Sequence, residues 1–538
     1  MTGRRRALLA LGSGVIFAAS TPPIDLHAGI LIGLAGFALA FEGDESVRTR
    51  SGALYGWCFG IGANLVALRF VPEVVLRYTP LPALAAWAAL LLLAAAQALP
   101  WAVGSAVAHR LARPVRGISL APSWLAYAVG VYVATFVPAV FPWTPSGGLA
   151  PWPALLQTAE IVGERGTSFL VAIAAGLAAH AIVRARAATA GGMTARARSA
   201  AAPLALSAAV LAVMLGWGAM RMRSIEQERE AAPHVRVALV QPGFDASDRW
   251  EASRAAMMLE RLTTLTKSAE HRGAELTVWP ESAYPFTLPH SMRTSPSGSR
   301  AVLQPGVRGP VLTGVYMSGA RGIGYNSAVL ATTDGALSAP YDKRHLLWFG
   351  ETVPLGDTFP WLRKVFSKGT GLDPGHESVV FVAGPIRAAV LNCYEDTLPQ
   401  AGREAMELAP NLLVNVTNDA WFSGSAEGEL HLRLAVLRAI ETRRDLVRAV
   451  NQGPTTHVDA TGRVRARYDL PMPGTLVTTP ALLSGPPTFY VRFGDLPLLL
   501  LAAAAVFAPL VRARLTKRRE RRFPKEGRPT TSNADAPE

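Results

Sequence analysis

Three segments of this sequence end in side chains that can move protons or attack a carbonyl. "VWPESAYP" puts Glu281 just past an apolar run, "APYDKRHLLWFGE" puts Lys343 past another, and "VLNCYED" puts Cys393 past a third. A thiolate is a nucleophile. A nearby carboxylate can take the thiol proton and later activate an attacking group. An ammonium can steady the thiolate and the oxyanion that forms on an attacked carbonyl. Taken singly, a glutamate or lysine after a strand is usually a solvated loop charge, and a lone buried cysteine is usually a small hydrophobe. The case rests on the three contexts together.

Other chemistries are poorly served. The sequence has no HExxH, paired CxxC, EF-hand loop, G-x-S-x-G elbow or Walker A loop, and "GIGYNS" carries only part of a G-x-G-x-x-G pattern. Zinc hydrolase, serine lipase and nucleotide-dependent readings are therefore set aside, and no metal or cofactor is expected. A Cys-His pair is disfavoured. His345 lies two residues from Lys343, so the two side chains point apart in an extended segment. His431 opens the amphipathic stretch "HLRLAVLRAIETRR" and reads as a surface or packing residue.

Strands must position the three candidates. From 235 the chain alternates short apolar runs with amphipathic segments. "VRVALVQP", "ELTVWPE", "PVLTGVYM", "YNSAVLATTDG", "SVVFVAG", "IRAAVLNCYE", "NLLVNVTND" and "DLVRAVNQG" read as strands, with helices over 249–270 and near 430–442 and a β-rich end. This pattern predicts a layered α/β or α+β domain with a mixed sheet. Strand ends in such folds gather at one edge, where sites form.

The rest of the chain has a different composition. Of 538 residues, only 17% are charged, against about 25% in a typical soluble protein. The deficit is concentrated before residue 220. Apolar stretches at 7–22, 25–42, 53–75, 82–105, 123–142, 167–185, 202–220 and 490–511 predict about eight transmembrane helices. The first also has the outline of a signal peptide, but the spans that follow favour a retained anchor. Domains follow: a bundle over 1–224, a soluble domain over 225–485, a last span over 486–512 and a basic tail over 513–538.

The net charge of +14 sits largely in arginine clusters between spans and in that tail. No nucleic-acid-binding signature accompanies it, so no nucleic acid partner is expected. With eight spans, "MTGRRR", Arg48 and Arg50, Arg110, Arg113 and Arg116, Arg184, Arg186, Arg196 and Arg198, and the tail all share one side, with Arg69, Arg77 and Arg165 opposite. The positive-inside bias puts both termini in the cytoplasm and the soluble domain outside. Two cysteines build no disulfide framework, and Cys58 reads as a packed membrane residue.

The region 235–480 resembles the nitrilase (carbon–nitrogen hydrolase) superfamily, and the whole chain resembles the bacterial apolipoprotein N-acyltransferase family. The likeness is carried by "VWPESA", "YDKRHLLWFGETVPLG", "LNCYED" and "NVTNDAWFSGS", and more loosely by "YGWCFGIGANL" and "PALLQTAEIVGERGTSFLV". Three positions depart from the family pattern. Asp396 follows Cys-Tyr-Glu where an apolar residue is usual, Ser423 stands for glycine after Trp-Phe, and Trp348 stands where proline is common.

The resemblance implies an αββα sandwich with a Glu281-Lys343-Cys393 triad. It also implies supporting roles for Glu351, Glu395 and the Tyr394 backbone, and a tryptophan near the site at Trp250. The implied reaction moves a fatty acyl chain from a phospholipid, through a cysteine thioester, to the N-terminal amine of a diacylglyceryl lipoprotein. That places a monomer in the bacterial inner membrane with its catalytic domain on the periplasmic side. Within "KRHLLWFGETVPLGDTFPWLRKVF", Trp348, Phe349, Phe359, Trp361 and Phe366 alternate with basic residues. This composition suits an interfacial arm that contacts substrate lipid; the alternative is that these rings belong to the domain core. Two other functions stay open: a membrane-tethered amidase using water as acceptor, and a non-catalytic lipoprotein-binding homologue.

Overall fold

The computed structural model describes residues 2–507 apart from 43–48, 116–117, 189–191, 323, 349, 354–355, 357, 362–370 and 506. The tail expected over 513–538 lies outside the described residues, as does Phe366.

The N-terminal part is helical: α1 (Gly3–Ala18), α2 (Gly29–Phe41), α3 (Thr49–Ala67), α4 (Val71–Tyr78), α5 (Ala83–Gln97), α6 (Leu99–Ala112), α7 (Ser123–Ala134), α8 (Ala159–Ala187) and α9 (Gly192–Ala231). Among the described residues, three runs are long and apolar enough to cross a membrane: Ala83–Ala112, Ala159–Ala187 and Gly192–Ala231. A fourth forms if α3 and α4, bent by 57°, count as one. The other expected spans fall on shorter helices, α1, α2, α7 and the apolar stretch Leu496–Ala505. The run expected over 202–220 extends much further, to Gly192–Ala231, because the charged flanks keep helical backbone; it passes through the expected boundary at 224. Leu84 and Leu92 are 83% and 72% exposed, an outward apolar surface suited to lipid rather than water.

Small residues bring these helices together. A Cβ on Gly14 would lie 2.0 Å from the Phe59 carbonyl oxygen, and one on Gly62 2.2 Å from that of Leu11, so α1 and α3 touch backbone to backbone. Phe17, Phe37, Phe59 and Trp101 fill the space beside this crossing.

The second part holds two sheets. The first contains β1 (Val237–Gln241), β2 (Leu276–Val278), β3 (Val311–Ser318), β4 (Gly324–Ala331) and β5 (Tyr341–Asp342), with β12 (Gly474–Thr478) outside β1. The second contains β6 (Val380–Ala383), β7 (Ile386–Asn392), β8 (Leu412–Thr417), β9 (Leu446–Val450), β10 (Thr455–Val458) and β11 (Val464–Tyr468). Each is built on a parallel trio, β1-β2-β3 or β7-β8-β9, with antiparallel flanks.

Strand alternation sorts the side chains into layers. In β8, Leu412, Val414 and Val416 face the opposite sheet, meeting Leu239, Val278 and Leu330, while Leu413 joins the helices outside. Helix α10 (Ala255–His271) covers the first sheet through Met258, Leu259 and Leu262. Helices α11 (Pro399–Ala405) and α12 (Glu427–Thr442) cover the second through Ala401, Val436 and Ala439. The result is an αββα sandwich.

Helix α12 has no solvent face. One side packs on the second sheet and the other on the membrane helices, and all its residues except Glu429 are buried. Its charges survive by pairing across this seam. Arg438 Nη2 lies 2.6 Å from Glu164 Oε2, and Arg433 Nη2 lies 2.7 Å from Asp25 Oδ1. The backbone N–H of Glu164 donates to Glu441 at 2.7 Å.

That last bond needs a break in α8. Gly163, at φ 68° and ψ −179°, interrupts the helix and frees the Glu164 N–H to point at α12. A Cβ there would lie 2.2 Å from the Tyr490 ring. Gly163→Ala combines a backbone conformation closed to alanine with this overlap, so a loss of at least about 2 kcal/mol is expected. A lowered thermal midpoint of the detergent-solubilised protein checks it.

Candidate active site

The sheet directions bring the three sequence candidates to one edge. Strand β5 is antiparallel to β4, which is antiparallel to β3, so β5 runs the same way as β2. Glu281 after β2 and Lys343 after β5 therefore leave the first sheet on the same side. Cys393 follows β7 of the facing sheet.

Lys343 is the hub. Its ammonium, 1% exposed, lies 2.8 Å from Glu351 Oε2 and 3.5 Å from Glu281 Oε1, with the Tyr394 ring centroid at 5.6 Å. Burial works against its charge, but Glu351, Cys393 and Glu281 outweigh that and hold its pKa well above the ordinary lysine value. Lys343 thus stays a cation.

Glu281 is pushed the other way. Burial raises its pKa above the usual carboxylate value and Glu351 adds to the rise, while Lys343, Asn326 and a hydrogen bond with the Cys393 side chain oppose it. The Cys393 thiol is pushed well above its ordinary value by burial, then by Glu281, with Lys343 opposing. The resting pair is therefore a protonated thiol against a carboxylate of raised basicity, the arrangement for proton transfer during attack rather than for a standing thiolate.

Asn326 was not singled out as a functional residue in the sequence. Its Nδ2 donates to Glu281 Oε1 and to Glu351 Oε1, each at 2.7 Å. One amide thereby fixes both acids around the lysine. Its own backbone carbonyl accepts from Lys343 N at 2.8 Å. Its sequence signal is slight: Asn326 and Ser327 form a polar pair inside the buried strand "GYNSAVLA".

Cys393 has a left-handed backbone, φ 54°, as does Ser282 beside Glu281, φ 53°. Such residues cost on the order of 1–3 kcal/mol and persist only where their surroundings hold them. Glu395 supplies much of the hold. Fully buried, it accepts from Asn392 N at 2.7 Å, Arg344 N at 2.8 Å, His345 N at 3.0 Å and Tyr341 OH at 2.9 Å. It ties the nucleophile's turn to the segment after Lys343 and has no oxygen left over for substrate. Asn415 Nδ2 donates to the Cys393 carbonyl at 2.9 Å.

Two departures from the family pattern have visible partners. Asp396 accepts from His431 Nε2 at 2.7 Å and Arg448 Nε at 2.9 Å. Ser423 offers its carbonyl to Arg77 of α4 at 2.8 Å, where Tyr78 stacks edge-on against Trp421 and Phe70 against Phe422. The aromatic loop after β8 is thus docked on the membrane helices.

The histidine readings divide. His345 Nε2 turns away to Glu404 at 2.9 Å. His431, read as a surface or packing residue, is a packing residue: it is buried and its ring lies between Asp396 and Asp419, which follow two strands of the second sheet. Trp348, Phe359 and Trp361 are 42%, 46% and 61% exposed, so they do not belong to the domain core. Trp250 closes the helical turn Asp248–Trp250, next to Arg249, which donates to the Ser282 and Tyr284 carbonyls at 2.7 Å. The Trp250 side chain and Phe349 lie outside the described residues. Cys58 and Cys393 are both free thiols.

Residues 236–479 match the carbon–nitrogen hydrolase family, so the double-sheet unit is a nitrilase-superfamily domain. Residues 13–177 match the apolipoprotein N-acyltransferase N-terminal domain. An apolipoprotein N-acyltransferase of Geobacter metallireducens is 31% identical over 94% of this chain and 95% of its own length. One of Rhodopseudomonas palustris is 30% identical over 95% and 96%. An amidase of the nitrilase superfamily from Nesterenkonia sp. AN1 aligns with 49% of this chain and 96% of its own, at 19% identity and a TM-score of 0.36. The chain belongs to the apolipoprotein N-acyltransferase family.

Two outcomes test the site. Asn326→Leu releases both acids from their shared donor, and hydrogen bonds to charged groups contribute about 1.5–3 kcal/mol. Alkylation of Cys393 by iodoacetamide is expected to slow about 10- to 100-fold. Because the Glu281 pKa is raised, the base is lost as pH falls through a value above 4.5. The acid limb of a rate–pH profile is expected above that value, and a limb at or below it would contradict the assignment.

Proposed function

We propose that this chain moves a fatty acyl group from a membrane phospholipid to the N-terminal amine of a diacylglyceryl-cysteine lipoprotein. The observation that carries this reading is the joining of a buried Glu281-Lys343-Cys393 constellation to apolar membrane helices through the buried charged side chains of α12.

In the first half-reaction the Cys393 sulfur attacks an ester carbonyl of the phospholipid as its proton passes to Glu281. The oxyanion is held by Lys343 Nζ and by the backbone N–H of Tyr394, which sits in the first turn of the short helix Cys393–Thr397 where N–H groups lack intrahelical acceptors. The carbon–oxygen bond breaks, Glu281 returns its proton to the leaving alkoxide, and a lysophospholipid departs from a Cys393 thioester. In the second, the neutral amine attacks the thioester carbonyl and gives a proton to Glu281. The carbon–sulfur bond breaks, the proton returns to sulfur, and an amide leaves. Glu351 keeps Lys343 charged throughout, and Glu395 holds the turn.

The arginine clusters between the apolar stretches support a periplasmic site at the inner membrane with both termini cytoplasmic, on the reading of eight spans. The exposed Trp348, Phe359 and Trp361, together with Phe349 and Trp250, meet lipid chains at the interface. Docking at the bilayer keeps both acyl-bearing substrates in lipid and limits water at the thioester.

Mass spectrometry of the purified protein is the test. An acyl mass on Cys393 as a thioester, absent in Cys393→Ala, is expected, as is transfer to a synthetic diacylglyceryl peptide when phospholipid is supplied. Release of free fatty acid with no acylated peptide would favour the water-accepting amidase instead.

A further inference from the structure

Behind the nucleophile lies a buried polar cluster that neither half-reaction uses. His431, on α12, is 6% exposed. Its Nε2 lies 2.7 Å from Asp396 Oδ1 and its Nδ1 3.3 Å from Asp419 Oδ1. Asp396 belongs to the same short turn as Cys393, and its second oxygen accepts from Arg448 Nε on β9 at 2.9 Å. Asp419 immediately precedes the aromatic loop Ala420–Phe422. Glu427 stands one turn before His431 on the same helix.

Asp419, Glu427 and His431 can bring one ligand atom each within 4.8 Å of one another, the spacing of a divalent-cation site. The histidine geometry argues for another use. Both ring nitrogens face a carboxylate oxygen, and a ring that donates at both has no lone pair left for a metal. Charge agrees. Burial works against the His431 charge, but Asp396 and Asp419 outweigh it and hold the ring at about 10. Glu427, raised by burial and then by Asp419 to about 8, is neutral at pH 7. Asp396 and Asp419 then balance His431 and Arg448.

We propose that His431 is a positioning residue for Cys393, pinning through Asp396 the strained turn that presents the thiol, and through Asp419 the aromatic loop that docks on α4. This rests on the acyl-transfer reading only in taking Cys393 as the nucleophile. One imidazolium sets the spacing between the nucleophile and a loop that otherwise touches the membrane helices. It also gives Asp396, the departure after Cys-Tyr-Glu, a defined task.

The experiment uses the full chain in phospholipid vesicles, as wild type, His431→Gln, Asp396→Asn and the double variant. Iodoacetamide alkylation of Cys393 is followed against pH, beside kcat and KM for peptide acylation. Each single variant is expected to lower kcat about tenfold with KM little changed. The double variant is expected to be no slower than the worse single, because both break one link. In His431→Gln the alkylation midpoint is expected to move up, since the Asp419 carboxylate then opposes the thiolate uncompensated. Wild-type alkylation in His431→Gln, or multiplied losses in the double variant, would overturn the proposal. Stimulation by added Mn²⁺ or Zn²⁺ that His431→Gln abolishes would overturn it in favour of a metal site. If His431→Gln does not fold, Asp419→Asn cuts the other side of the same ring; the same loss in kcat is expected, but the alkylation midpoint is expected to move down, because a carboxylate that opposes the thiolate is gone. Alkylation needs no lipid donor, so failure of acyl transfer in the wild type would be seen separately.

Discussion

An ammonium buried as deeply as that of Lys343 stays charged only because two carboxylates face it. That single cation organises the site. Glu351 and Glu281 are held at fixed distances from it, Asn326 spans the two acids, and the thiol proton has one nearby acceptor. Burial, and then the neighbouring Glu281, keep Cys393 protonated at rest against the pull of the lysine. On the proposed reading, a thiol that ionises only when a carbonyl arrives suits a covalent intermediate that outlasts the exchange of two lipid substrates.

The surrounding framework can be read as the means of holding a strained turn against that hub. Cys393 and Ser282 both adopt left-handed backbone, one from each sheet. The parallel trios aim their carboxyl ends at the same edge, so the strain from both sides is concentrated there. Glu395 spends its whole hydrogen-bonding capacity on backbone and tyrosine donors. It is a clamp between the lysine segment and the cysteine turn, which accounts for a buried acid two residues from the thiol.

Much of this was legible in sequence where a residue's role coincides with a local signal. Glu281, Lys343 and Cys393 each follow an apolar run, and strand ends converge by geometry. Asn326 sits inside a strand, where a polar residue has no motif and its partners lie 45 and 25 positions away. For His431, helical periodicity leaves surface and packing both open, because it does not record that α12 is covered on both sides. The spans were legible as apolar runs but not as helix lengths. The break between α3 and α4 and the Gly163 interruption in α8 depend on what those helices meet, which hydropathy does not record. The family resemblance pointed to Glu281, Lys343, Cys393 and Glu395 together, but it carried no account of Asp396, whose partner is a histidine 35 positions further on.

The double covering of α12 has a consequence for how such a chain can fail. Arg433, Leu434, Arg438 and Glu441 look toward the membrane helices. A fragment holding the sandwich alone would turn this surface, with its unpaired charges and apolar neighbours, out to water. Such a piece would aggregate sooner than act. Proteolytic release of the sandwich therefore silences the site instead of setting it loose, and Cys393 stays in its formed turn only in molecules that keep the membrane helices.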